Sequence, residues 1–189
     1  RGVENFLMDM AAEPKFAEAL MQGVADYLVA LYDRILAEVG EYLQVVMVGD
    51  DLGTQHGPMT APEASRKLVK PAQKKVWQFI KSRTKAYLFL HSCGSVRKFI
   101  PDWIELGLDI LNPVQVAARD MDPRELKREF GKDLTFWGGG CDTQRVLTFG
   151  TPDDVEKEVR QRIAEFAPGG GFVFNQIHNI QPGVPPENV

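Results

Sequence analysis

Apolar residues along this chain recur at two spacings, and the alternation between them is its main structural signal. Over residues 15–39, Phe16, Leu20, Val24, Tyr27, Leu28, Leu31, Ile35 and Leu36 keep a three-four spacing. That spacing predicts one long amphipathic helix, with Gly40 where a C-cap glycine belongs. Residues 42–48 then run apolar and β-branched, as a buried strand does, and end in Gly49-Asp50-Asp51-Leu52-Gly53. Thr60-x-x-Glu63 has the form of a capping box opening a helix to about residue 82, which Pro71 is expected to kink or break. The pattern then repeats. Strands are predicted at 86–90, 109–116, 134–137 and 172–177. Helices are predicted at 96–106, from Asp122-Pro123 to Gly131, and from Thr151-Pro152 to about Phe166.

Five apolar strands separated by helices belong in a parallel sheet covered on both faces, so the chain is α/β. Two architectures fit: an open doubly wound sheet, or part of a (β/α)8 barrel. Polar residues help to choose. Asp50, Asp51, His91, Cys93, Asn112, Gln115, Cys141, Asp142, Asn175, Gln176 and His178 all fall at or near predicted strand C-terminal ends. Chemistry gathered at every strand end suits a TIM barrel, whereas an open sheet binds mainly at one switch point. A full barrel needs about 250 residues. About five βα units are present here, so one domain, residues 1–189, is expected to be part of a barrel. Arg1 leads straight into a helical pattern, and Pro186-Glu187 looks like a helix start. Both ends therefore read as cuts in a longer protein.

Composition narrows the classes. With 44% hydrophobic and 25% charged residues and a net charge of −4, the chain has the make-up of a globular domain with a sizeable core. No basic excess points to nucleic acid, and no apolar run is long enough to span a membrane. Two Cys make no disulfide framework, so a reducing cytoplasm is the expected compartment. Exposed parallel edges in a partial sheet would favour association, including a homo-oligomer.

The densest candidate chemistry is His91-Ser92-Cys93. Alternate residues of a strand share a face, so a strand ending in His-x-Cys sets an imidazole beside a thiol. Such a pair suits zinc, with a third ligand arriving from elsewhere, although the tripeptide alone reads first as a small buried thiol beside a hydrogen-bonded core imidazole. The chain holds three His and two Cys, so the candidates for that ligand are few. His56 lies in a Gly-flanked loop and is expected to be solvated. Trp77 and Trp103 are expected in the core, and Asn112 as a cap of the turn before Pro113.

The stretches His91-Ser-Cys-Gly, Leu106-Gly-Leu-Asp-Ile-Leu-Asn-Pro113, the Gly-rich turn at 138–142, Gly150-Thr-Pro152 and Ile177-His-Asn179 through Val189 together resemble the uroporphyrinogen decarboxylase superfamily. The resemblance covers roughly residues 40–189 and implies a (β/α)8 barrel of which these are the last five strands. It also implies two chemistries. In the corrinoid-dependent methyltransferase branch, zinc held by His-x-Cys and a Cys of the last strand binds an acceptor thiol. The thiol then takes a methyl group from a corrinoid carried by a partner protein. His91 and Cys93 match that pair. The last strand ends in His178 instead of Cys, which makes His178 the expected third ligand and Cys141 the alternative. In the decarboxylase branch no cofactor is used, and acetate side chains of a tetrapyrrole lose CO2. There the last strand carries Gly-His-Gly, and Ile177 and Asn179 replace both glycines. His-x-Cys favours the methyltransferase branch. On the resemblance Asp50, Asp51 and His178 are the candidate catalytic residues, and Gln115, Asp142 and Trp137 the candidate substrate-binding ones.

Overall fold

The computed structural model describes residues 2–189 and divides into two compact units. The first holds residues up to Val46, Thr60–Leu88 and Pro101–Leu108. In it, α1 (Val3–Ala12), α2 (Pro14–Val39), α3 (Pro62–Leu68) and α4 (Lys70–Arg83) pack on one another around Ala17, Ala25, Leu36, Val76, Trp77 and Ile80. The predicted break at Pro71 is present: α3 ends at Leu68, and Pro71 lies in the first turn of α4, where its missing N–H costs nothing. The capping box at Thr60 is absent. Ala61 takes the N-cap position without a side-chain bond, one residue ahead of Pro62.

The helix α2 covers the predicted range but buries a different face. Ala17, Ala25 and Leu36 are buried, while Phe16, Leu20, Val24, Tyr27, Leu31 and Ile35 are exposed. Of the predicted stripe, Leu28 and Leu36 alone turn inward. The helix is apolar on two faces, and the buried one carries Ala17, Ala25 and Leu36. Gly40 ends α2 in a right-handed conformation, not the left-handed one usual for a C-cap glycine.

The second unit holds residues 47–59, 89–100 and 109–189. Among the described residues, five strands form one sheet: β1 (Val45–Gly49), β2 (Tyr87–His91), β3 (Ile110–Asn112), β4 (Thr135–Trp137) and β5 (Phe172–Val173). Their spatial order is their chain order, and β2 through β5 pair in parallel. A doubly wound sheet would reverse its order at a switch point. Consecutive order without reversal is the arrangement of a barrel, so the architecture left open by the pattern is decided.

Four strands are shorter than predicted, β4 by Leu134 alone. At β1, residues 42–44 turn before pairing begins. At β3, Pro113 offers no N–H and Val114 has φ +57, so extended pairing stops at Asn112. At β5, the backbone beyond Val173 bonds instead to the turn after β4, with Gly140 N–H donating to Asn175 and Ile177 N–H to Cys141.

The connecting helices begin as their sequences dictate. Asp122 caps α6 (Pro123–Phe130) by accepting from the Arg124 and Glu125 amides. Thr151 and Asp154 form a capping box on α8 (Pro152–Phe166). Between β4 and α8 lies the single turn α7 (Val146–Phe149), and α5 (Ile100–Glu105) follows β2. On the helix side of β4, Phe136 is fully buried with its ring 5.3 Å from that of Phe166, which stacks on Phe172 at 5.2 Å. Among the described residues no helix is long and apolar enough to cross a membrane.

These two features carry different weights. Phe136→Ala removes a fully buried ring and should cost about 3–5 kcal/mol. Thr151→Ala removes one cap and should cost about 1 kcal/mol. Urea unfolding of both variants checks the order; equal losses would contradict the placement of the core.

Candidate metal centre

The turn after β2 is built by capture of its backbone. Ser92 N–H donates to the Asn112 carbonyl at 2.8 Å, Cys93 N–H to Asp51 Oδ1 at 2.8 Å, Gly94 N–H to Gln115 Oε1 at 2.8 Å and Ser95 N–H to the Thr54 carbonyl at 2.8 Å. Four successive amides are thus satisfied by groups that follow β1 and β3, and the turn cannot slide along the sheet. Gly53 and Gly94 allow the two loops to meet. Gly94 has φ +83, and a Cβ there would lie 2.6 Å from the Gly53 carbonyl carbon; one on Gly53 would lie 2.6 Å from the Cys93 oxygen. Ser92 points inward, is buried, and accepts from the Leu52 amide.

With the turn held, His91 and Cys93 project on the same side, and His91 Nε2 lies 3.4 Å from Cys93 Sγ. His178 comes to the same place from the segment after β5. Ile177 is buried, its amide donates to Cys141, and its carbonyl accepts from Thr143 Oγ1 at 2.6 Å. The next residue, His178, adopts φ +62 and brings its ring edge-on to His91, with 5.5 Å between centroids. The left-handed region costs a non-glycine residue about 1–2 kcal/mol, and such outliers concentrate at functional sites.

The ligand atoms of His91, Cys93 and His178 all lie within 4.8 Å of one another, the one such trio of candidate metal ligands among the described residues. Tetrahedral zinc with Zn–S and Zn–N bonds of ordinary length sets sulfur and nitrogen about 3.6 Å apart. The 3.4 Å separation is close to that, and one thiol with two imidazoles is a donor set zinc accepts. The residues present therefore fit the ion.

The Cys93 thiol is pushed up from 9.0 to about 11, first by burial and then by the Asp51 carboxylate beside it. It is a neutral S–H at ordinary pH and can donate to Nε2. Asp51 thus both holds the turn and disfavours the thiolate.

The other sequence-predicted residues are placed differently. Asp50 pairs by its backbone, its N–H donating to the His91 carbonyl. Cys141, the alternative third ligand, is buried, donates to Glu158 Oε2 and is pushed up to about 12, by burial first and Glu158 second. It is turned toward α8 and stands outside the trio. Asp142 is also buried, and its Oδ1 accepts from the Gln144 amide within its own turn. Both ends of the Gln115 amide are engaged, Oε1 by Gly94 and Nε2 by Gln55 Oε1 at 2.7 Å; Gln55 in turn donates to the Ala117 carbonyl. Gln115 is a strut of the turn. Trp137 is half-buried and packs edge-on against Phe89, 5.4 Å between centroids. His56 is exposed, as expected.

One residue carries more than the sequence suggested. Asn112, expected to cap a turn, is buried with its Oδ1 2.6 Å from His91 Nδ1 and its Nδ2 donating to the Trp137 carbonyl at 2.8 Å. The signal was register: His91 and Asn112 end neighbouring strands at the same level.

Comparisons with known proteins follow this geometry. The family model for uroporphyrinogen decarboxylase matches residues 1–189. A uroporphyrinogen decarboxylase of Pseudoalteromonas translucida is 27% identical over 182 residues, 94% of this chain and 47% of that protein. One of Psychromonas ingrahamii is 28% identical over 180 residues, 93% of this chain and 46% of that protein. Among solved structures, a methyltransferase from Methanosarcina mazei superposes with a TM-score of 0.74 at 17% identity, over 99% of this chain and 50% of its own. The chain thus spans about half the length of the curated relatives it matches.

Two outcomes are expected from this geometry. His178→Gly removes the ring and relieves the left-handed backbone, so thermal unfolding should show stability unchanged or raised by up to about 1 kcal/mol, while His178→Ala keeps the backbone cost; a marked loss in the glycine variant would contradict the assignment of strain. Iodoacetamide labelling of Cys93 in metal-free chain, followed by peptide mass spectrometry, should accelerate with pH toward a midpoint near 11. Asp51→Asn should lower that midpoint and leave it above 9.0, because burial remains.

Proposed function

The chain belongs to the uroporphyrinogen decarboxylase family, and from that premise we propose that it is the thiol-activating part of a zinc-dependent methyltransferase of that family. His91, Cys93 and His178 are the proposed ligands, and their convergence within 4.8 Å is the observation that carries the reading. When bound, zinc supplies the positive charge that lowers the pKa of an acceptor thiol until a thiolate exists at neutral pH. His91, Cys93 and His178 would hold the ion with three ligands, and the acceptor thiol would be the fourth.

The chain's own residues do the rest of the proposed work. Asp51 and Gln115 hold the peptide that carries Cys93. Cys93 would give up its proton on holding the ion, and the left-handed His178 would supply the third ligand. Phe89 and Trp137 supply an apolar, aromatic flank beside the strand ends. The proposed methyl donor is a corrinoid held by a partner protein, which would supply an electrophilic methyl group to the acceptor sulfur with its cobalt keeping the bonding pair.

A second reading has a specific support: the curated relatives that match most of the chain are named uroporphyrinogen decarboxylase. In that reading no metal is bound, His178 serves a cofactor-free carboxy-lyase acting on a tetrapyrrole, and His91 and Cys93 are structural.

Metal content separates the two. Purified chain should hold one zinc per chain, lost in Cys93→Ala and His91→Ala and retained in Cys141→Ala. Between pH 7.5 and 8.5, below the hydrolysis of aqueous zinc at about pH 9, the Cys93 proton would leave as the ion binds, so apparent zinc affinity should rise about tenfold per pH unit. Chain that takes up no zinc across this range overturns the methyltransferase reading in favour of the second.

A further inference from the structure

We infer that Asn112 is a positioning residue that locks His91 in the tautomer with its proton on Nδ1, so that the bare Nε2 faces Cys93. The purpose of this lock rests on the metal-centre reading; its geometry does not.

The fixed point of this chain of bonds is the end of β4. The carbonyl of Trp137 lies at the strand end and accepts from Asn112 Nδ2 at 2.8 Å. A carbonyl oxygen has no hydrogen to give, so the Asn112 amide has one orientation. Turned over, Oδ1 would meet the Trp137 oxygen, two acceptors with no proton between them inside a buried site. With the amide so fixed, Oδ1 lies 2.6 Å from His91 Nδ1. That oxygen can only accept, so the hydrogen belongs to Nδ1. A neutral imidazole carries one N–H, and the bond made at one nitrogen decides the other. Nε2 is therefore left with its lone pair, and Nε2 is the atom 3.4 Å from Cys93 Sγ. With the proton on Nε2 instead, His91 would have no lone pair to offer there.

The lock runs sideways across three strand ends, from the Trp137 backbone through Asn112 to His91 and so to Cys93. It follows from strand register, since Asn112 is the register partner of His91. It also works before any ion arrives. A ligand held in its binding tautomer need not shift a proton or turn its ring, which is what outer hydrogen-bond partners of metal-ligating histidines provide.

The test reads the tautomer directly. Long-range ¹H–¹⁵N correlation spectra of the labelled, metal-free chain at pH 8 report which nitrogen of His91 is protonated, and His91→Gln identifies its signals. The wild-type chain should show Nδ1–H. Asn112→Ala should move the population toward Nε2–H and weaken zinc binding ten- to a hundredfold. Asn112→Leu, of similar shape and without an acceptor, should shift the tautomer and the affinity as Asn112→Ala does, so the loss follows the missing oxygen and not a cavity. Nε2–H at His91 in the wild-type chain overturns the inference even if zinc binds. An unchanged tautomer in Asn112→Ala overturns it too. The expected tautomers in chain that takes up no zinc uphold the lock and overturn the metal-centre reading alone.

Discussion

The site depends on the capture of four consecutive backbone amides, Ser92 to Ser95, by groups on neighbouring strand ends. A turn at the rim of a parallel sheet has no ladder to satisfy its N–H groups, and leaving them unpaired away from water would cost more than a hydrogen bond returns. Here the partners come from the loop after β1 and from β3 and its loop, and two glycines let the backbones touch. The turn is therefore rigid in the relative placing of the His91 and Cys93 side chains.

The same arrangement sets the electrostatics. Asp51 secures the Cys93 amide and, being negative, opposes a negative sulfur beside it, an effect that adds to burial. A thiol so placed is inert at neutral pH unless a cation offsets both causes. Holding the turn and restraining the thiol are thus two consequences of one carboxylate. Cys141 is restrained by the same pair of causes, burial and the carboxylate of Glu158, but it points into α8 and has no imidazole for company.

Much of the fold was legible because its determinants are local. The capping box at Thr151, the Asp122-Pro123 start and the break at Pro71 depend on a few adjacent residues, and they stand where the chain predicts them. Two local readings failed, the capping box at Thr60 and the left-handed cap at Gly40, and the other errors arose where partners are distant. The apolar stripe of α2 misled because the helix has two apolar faces, and only packing against α4 shows which one this chain buries. The last strand was read too long because Phe174 to Ile177 is apolar enough for a strand but bonds to the turn after β4. Asp142 and Gln115 looked available for a ligand, as polar residues at strand ends do, until their amide and backbone partners were in place.

The sequence by itself determined the alternation of strand and helix and the pairing of His91 with Cys93, since a period of two and a period of 3.6 are properties of neighbouring residues. It also marked His178 as a candidate companion, but as one of two. Only the tertiary structure decided between His178 and Cys141, through a left-handed residue that swings one ring toward His91 while Glu158 draws the other side chain away. Only the tertiary structure made Asn112 a partner of His91. Register between strands is set by hydrogen bonds spanning tens of residues, and no local pattern in the chain encodes which side chains it will bring level.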